Sequence, residues 1–396
     1  MKYAIIIPDG AADLPIDALD GRTALEAADL PNINSLVHQG RIGMVQTVPE
    51  NFPPGSDVAI MSVLGYDPKK YYTGRAPLEA AAMGLKLTAD QMVFRCNLVT
   101  IIDGIMEDFS AGHIATEQAH KIIDALNEKM GNPGVKFYPG VSYRHLMVTT
   151  PAEKFKNFQA TPPHDISGQP VANFLPRGNG SEFIRGLMAH SQEFLSELEV
   201  NQVRRDLGEN PATSIWLWGQ GQKPTLDRFK KIYGVSGAAI TAVDLVRGLA
   251  KLIGWKIIEV QGATGWVDTN YQGKAQAACN VLDEVDIVVV HVEGPDEAGH
   301  NGDHKNKIYA LEQIDRQIVQ PVFEKLNTFS QWRMMVLPDH PTPVSLKTHT
   351  ASPVPFVMAG TGIHSGGMEK FTEDQAETTG LKIDRGWQLM EYFLKG

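Results

Sequence analysis

Cysteine is nearly absent: the 396 residues hold only Cys96 and Cys279. Two thiols supply no disulfide framework, and such scarcity fits a reducing compartment. Long apolar runs are missing as well, and none approaches the roughly 20 residues needed to span a bilayer. The opening MKYAIIIPDG is broken at Pro8 and Gly10, too early for the apolar stretch of a secretory leader. A cytoplasmic location, with no membrane partner, is therefore expected. Basic charge is in deficit, with 36 Lys and Arg against 46 Asp and Glu, a formal net charge of −10. That balance argues against nucleic acid as the main partner, because a phosphate backbone calls for a basic surface. A small phosphorylated substrate needs only a local cluster of cations and stays open. No GxxxxGK[ST] loop occurs, so a nucleotide-binding kinase of that type is not expected.

What is present is a set of short apolar runs rich in β-branched residues. KYAIII (2–7), WKIIEV (255–260), DIVVVHV (286–292), RMMVLP (333–338) and VPFVMAG (354–360) read as strands covered on both faces. Helix-like segments at 237–254, 272–283 and 304–326 alternate with them. This is the pattern of an α/β fold with a mainly parallel sheet. Between about 75 and 225 the pattern fades into shorter runs, Pro/Gly-rich stretches and an acidic helix near 181–199. A smaller α+β domain, 75–225, is expected as an insertion into a catalytic metal-binding domain made of 1–74 and 226–396.

Chemistry-bearing residues gather at the ends of the chain. Asp9 lies in IIIPDG, Ser56 in PPGSD, Asp296 and His300 in PDEAGH, Asp339 and His340 in LPDH, and His349 in KTHT. Taken singly, each has a plain alternative. Asp-Gly is common in turns, Asp-x-x-x-His occurs by chance on surfaces, and a serine before an apolar helix is a good N-cap. Their joint occurrence carries more. In open α/β sheets the ligand site lies beyond the carboxyl ends of the strands, where Asp9, Asp296 and Asp339 all fall. Carboxylate and imidazole donors without thiolate suit Zn²⁺, Mn²⁺ or Mg²⁺. A serine at a helix N-terminus beside a cation can become a nucleophile.

Longer stretches add a resemblance. LPNINSL, PPGSD, LGYDPKKYYTGRAPLEAAAMG, FRCN, GATGWVDTNYQGKA, HVEGPDEAGHNGD and LPDHPTPVSLKTHTASPVP run through nearly the whole chain. In this order they resemble the cofactor-independent phosphoglycerate mutases of the archaeal type, within the alkaline phosphatase superfamily. The resemblance implies an alkaline-phosphatase-like three-layer core and two divalent metal ions, with no bisphosphoglycerate and no nucleotide. It implies that Asp9, Ser56, Asp339 and His340 hold one ion and Asp296, His300 and His349 the other. Ser56 then carries the phosphoryl group between 3-phosphoglycerate and 2-phosphoglycerate, under an inserted domain acting as substrate-binding lid. Cations for the substrate are expected at Arg95, His113, Arg144, His145 and Lys274. DFSAGHI (108–114) stands where these mutases commonly carry an arginine-rich DRRAGRI-like segment, and WLWGQG (216–221) replaces a less aromatic stretch. These departures keep open a phosphotransferase or phosphatase on another small hydroxy acid, a homoserine-kinase-like enzyme among them. A catalytically silent metal-binding protein is the alternative outside enzymes, and the serine at position 56 counts against it.

Overall fold

The computed structural model describes residues 1–395. The chain divides into two compact units: Met1–Tyr72 joined by the chain from Thr225 onward, and the continuous segment Thr73–Pro224.

The larger unit is built on an eight-stranded sheet. Across it the order is Lys382–Ile383, Arg41–Val45, Val354–Gly360, Trp332–Val336, Lys2–Pro8, Ile287–Val292, Gly237–Ile240 and Lys256–Ile257. Pairing is parallel throughout except where Val354–Gly360 runs antiparallel to both its neighbours. The fold is the expected α/β class with a mainly parallel sheet. Ala4, Ile5, Ile6 and Ile7 of the central strand are wholly buried, which explains their unbroken apolar run. Each such isoleucine contributes about 1.5–3 kcal/mol by leaving water. Register aligns the strand ends: Ile7 pairs with His291, Pro8 with Val292 and Ile6 with Val336. The loops that follow these three strands therefore start side by side.

Two helical details differ from the sequence reading. The segment expected as one helix over 237–254 begins as the strand Gly237–Ile240 and turns helical only at Asp244–Leu252. Gly-Ala-Ala-Ile has little strand signal of its own. Its glycine is dictated by the core, since a Cβ there would stand 2.3 Å from the Trp255 ring. The helix expected over 304–326 is interrupted by a π turn, Asp315–Val319, between His304–Ile314 and Gln320–Leu326. The turn places the Asp315 carboxylate at the start of the helix Pro31–Gln39, where it accepts the amides of Asn32 (3.2 Å) and Ile33 (2.7 Å). Two orphan donors of that helix end are satisfied this way.

The smaller unit is an antiparallel sheet. Met92–Ile102 is central, flanked by Arg144–Thr149 and Ser214–Gln222. Val135–Val141 lies beyond Arg144–Thr149, and Ile105–Asp108 closes a hairpin. Alternation along the central strand separates two faces. Phe94, Cys96 and Leu98 enter a core with Ile122, Leu126 and Ile184 of two long helices. Val93 packs on the opposite face against Ala76 and Ala80, and Arg95 and Asn97 share its parity. No helix among the described residues is long and apolar enough to cross a membrane.

Candidate metal centre

Asp9 follows the central strand directly, and Asp339 and His340 lie three and four residues past the strand Trp332–Val336. Ligand atoms of these three lie within 4.8 Å of one another. His340 Nε2 is 3.5 Å from Asp9 Oδ1 and 3.4 Å from Asp339 Oδ2, with all three side chains buried. Asp296 and His300 sit one turn apart on the short helix Gly294–His300, and His349 arrives from the loop beyond His340. In this second group Asp296 Oδ2 to His300 Nε2 and Asp296 Oδ1 to His349 Nε2 are both 3.4 Å. The two imidazole nitrogens are 2.8 Å apart. The rings of His340 and His349 stand 4.2 Å centroid to centroid, so the groups are neighbours.

Ser56 is the first residue of the helix Ser56–Val63, and the N-cap position belongs to Gly55 rather than to the serine. Its Oγ instead lies 3.1 Å from His340 Nε2. The same loop touches the second group, with Pro54 O 3.4 Å from His349 Nδ1. The structure thus brings together all seven residues singled out at the ends of the chain.

The electrostatics describe buried carboxylates crowded against one another. Burial raises the Asp9 carboxyl well above its usual range, and the nearby charges of Asp339 and Asp296 raise it further. Burial pushes Asp296 up as well, but hydrogen bonds with His300 and His349 outweigh it and hold this carboxyl well below its usual range. The Asp296 bond lifts His300 to about 9, whereas burial lowers His340. Asp9 Oδ1 and Asp339 Oδ2 are buried without any hydrogen-bond partner. Unpaired buried acceptors of this kind are costly. A cation would satisfy both. At bond lengths of about 2.0–2.2 Å, ligand atoms on one ion stand roughly 2.8–3.6 Å apart, and the separations above lie in that range. Donor chemistry and spacing fit a divalent ion in each group, and the orphaned oxygens strengthen that fit in the first.

Around the groups stand residues that sequence patterns did not single out. His291 Nε2 is 3.0 Å from Asp9 Oδ2, and its Nδ1 is 3.2 Å from Thr241 Oγ1. Burial lowers it to about 4, so the ring is neutral. The signal was a histidine inside the apolar run DIVVVHV. Thr342 and the fully buried Lys307 also approach the site, and neither Pro-Thr-Pro nor a lysine in a helix gives such a role away.

The residues expected to meet substrate are placed differently from one another. In the larger unit, Lys274 is fully buried, its Nζ donating to His291 O at 3.1 Å, and burial lowers it to about 8. It braces the strand behind Asp9 rather than presenting an open charge. In the smaller unit, Arg95 is buried, its Nε donating to Glu79 Oε2 (3.0 Å) and its guanidinium lying 4.2 Å over Trp218. Arg144 is exposed beside Tyr143. His113 is exposed too, in a left-handed conformation with its ring edge-on to Tyr143. His145 needs correction as a cation. Its ring is buried, Nδ1 accepts the Gly140 amide at 2.9 Å, and burial lowers it to about 3, so it carries no charge at neutral pH.

Fold and donor groups together define a class: an α/β protein equipped to hold two cations beside a serine. Comparison with known proteins narrows it. A family model described as 2,3-bisphosphoglycerate-independent phosphoglycerate mutase matches residues 38–201. The 2,3-bisphosphoglycerate-independent phosphoglycerate mutase of Methanothrix thermoacetophila is 46% identical over 397 residues, covering 100% of both chains. A solved protein from Pyrococcus horikoshii superimposes with a TM-score of 0.85 at 29% identity, covering 100% of this chain and 96% of that one. The cofactor-independent phosphoglycerate mutase from Thermoplasma acidophilum gives 0.67 at 26% identity, covering 100% and 99%. The chain belongs to the 2,3-bisphosphoglycerate-independent phosphoglycerate mutase family.

Proposed function

We propose that the chain interconverts 3-phosphoglycerate and 2-phosphoglycerate through a phosphoserine at Ser56. The observation that carries this reading is the Ser56 hydroxyl. It lies past the Gly55 N-cap, on the first residue of a helix, and sits 3.1 Å from His340 in the first ligand group. Asp9, Ser56, Asp339 and His340 would hold one divalent ion, and Asp296, His300 and His349 the other. Mn²⁺, Zn²⁺ and Mg²⁺ all suit these donors. When bound, such ions supply Lewis-acid activation and neutralise phosphoryl charge.

Ser56 Oγ attacks phosphorus. The Oγ–P bond forms, the bond from phosphorus to the glycerate 3-oxygen breaks, and the serine proton is matched by the one gained by the released hydroxyl. The glycerate 2-hydroxyl then takes the phosphoryl group back and Ser56 regains its proton. The amides at the start of the Ser56 helix favour the negative charge carried there. We assign Arg95 and Arg144, whose planar forks suit carboxylate and phosphate, and His113 to the substrate's charged groups. Water must be excluded while the phosphoserine exists.

One observation favours a second substrate. Phe109, from the segment that stands in place of an arginine-rich one, forms a chain of edge-to-face ring contacts with Tyr143, His164 and Trp218. Another small hydroxy acid, such as homoserine, is the corresponding reading. The test is a coupled mutase assay with each of the three metals and no bisphosphoglycerate, run beside homoserine with a phosphate donor. Conversion of 3-phosphoglycerate is expected, and Ser56→Ala should abolish it while divalent-ion binding persists. Full turnover by Ser56→Ala would refute the phosphoserine, and no conversion with any metal would refute the mutase.

A further inference from the structure

Both ligand groups converge on one hydroxyl outside them. Thr342 is wholly buried two residues after His340. Its Oγ1 donates to Asp296 Oδ1, in the second group, and lies 3.3 Å from His340 Nδ1, in the first. A hydroxyl has a single proton, and an ionised carboxylate can only accept. With that proton given to Asp296, the contact with His340 requires Nδ1–H to donate to Thr342 Oγ1. The His340 tautomer is thereby fixed, and its Nε2 lone pair faces Ser56, Asp9 and Asp339. That is the form a metal-ligating imidazole needs.

The backbone of Thr342 is pinned as firmly as its side chain. Lys307 Nζ donates to Thr342 O at 2.8 Å, to Asp13 Oδ2 at 2.7 Å and to Ala12 O at 3.3 Å, using all three protons. Asp13 Oδ1 accepts the Val344 amide at 3.1 Å. The Thr342 amide lies 3.3 Å from both Gly10 O and Ala12 O. On the other side, a Cβ on Gly299 would stand 2.5 Å from Thr342 O, so the Asp296–His300 helix packs directly on this residue.

We propose that Thr342, clamped by Lys307 and Asp13, is a positioning residue that joins the two ligand groups and sets His340 in its ligating tautomer. This rests on the reading of the groups as a metal centre. A fold built only to bury a threonine would need neither the directed pair of hydrogen bonds nor a lysine that spends every proton on the surrounding loops.

The test is calorimetric titration of the metal-free chain with MnCl₂, for wild type, Thr342→Val and Thr342→Ser. Valine keeps the shape and removes the hydroxyl, and serine restores it. Wild type is expected to take up two equivalents. Thr342→Val should weaken uptake about 10–100-fold, the usual effect of losing an outer partner of a metal ligand, and Thr342→Ser should return to within a few-fold of wild type. Wild-type affinity in Thr342→Val would overturn the proposal, as would an equal loss in Thr342→Ser. No Mn²⁺ uptake by wild type would overturn the metal centre itself, and with it the role given to Thr342.

Discussion

Lys307→Met offers a direct measure of what the buried ion pair beside the site contributes. Both side chains of the Lys307–Asp13 pair are 0% exposed, and Nζ to Oδ2 is 2.7 Å. Burial lowers the lysine's pKa, opposed chiefly by Asp13. Removing one member of such a pair leaves an uncompensated buried charge, at a cost of about 3–5 kcal/mol. The carbonyls of Thr342 and Ala12 lose a donor as well, and roughly another 1 kcal/mol goes with them. A total of about 4–6 kcal/mol is a large part of a typical stability of about 5–15 kcal/mol. The assay is urea unfolding of the metal-free chain, followed by circular dichroism, for Lys307→Met, Asp13→Asn and the double variant. In the double variant the orphaned charge is gone, so its loss should be smaller than the summed single losses by about 2–3 kcal/mol. A cost below about 1 kcal/mol for Lys307→Met, or simple additivity in the double variant, would refute the reasoning.

Two further outcomes follow from local geometry. Gly10 holds φ at +62°, and a Cβ there would stand 2.5 Å from Asp296 Oδ1 and 2.6 Å from Thr342 Oγ1. Gly10→Ala should cost about 2–5 kcal/mol from left-handed strain and overpacking and weaken Mn²⁺ binding. An unaltered melting curve and binding isotherm would contradict this. His145 has its folded pKa lowered to about 3 against an unfolded value near 6.5, so the unfolded chain takes up this proton first as pH falls. Stability should therefore drop between about pH 6.5 and 3, by up to about 1.4 kcal/mol per unit from this group. His145→Gln should flatten that slope in pH-dependent unfolding, and an unchanged slope would count against a neutral buried ring.

Legibility in the sequence tracked how each element is stabilised. The strands Lys2–Pro8, Ile287–Val292 and Trp332–Val336 are buried on both faces, so their apolar runs announce them. Gly237–Ile240 is held by its two parallel neighbours and by the close approach of Trp255, which a four-residue window does not record. Arg41–Val45 and the two-residue strand Lys382–Ile383 depend even more on partners distant in sequence, and of the run WKIIEV, read as a strand, only Lys256–Ile257 pairs. In the site, Asp9, Asp296 and Asp339 were legible because each follows a readable strand in a parallel sheet. Thr342, Lys307 and His291 were not. Their significance lies in who stands opposite, such as the 35 residues separating Lys307 from its Thr342 acceptor. The same limit explains His145 and Lys274, whose residue types suggest charge while their burial suppresses or encloses it.

The central place of the first strand has a consequence for how the protein is made. Lys2–Pro8 has no sheet partner until Ile287–Val292 and Trp332–Val336 exist, whereas Thr73–Pro224 closes its own sheet from continuous chain. At about 5–20 residues per second, the ribosome leaves the opening strand, with Asp9 at its end, waiting for roughly 15–65 seconds. The smaller unit can be complete before the larger one has its middle strand in place. Asp9 is synthesised 330 residues ahead of Asp339, with which it shares the first group of donors.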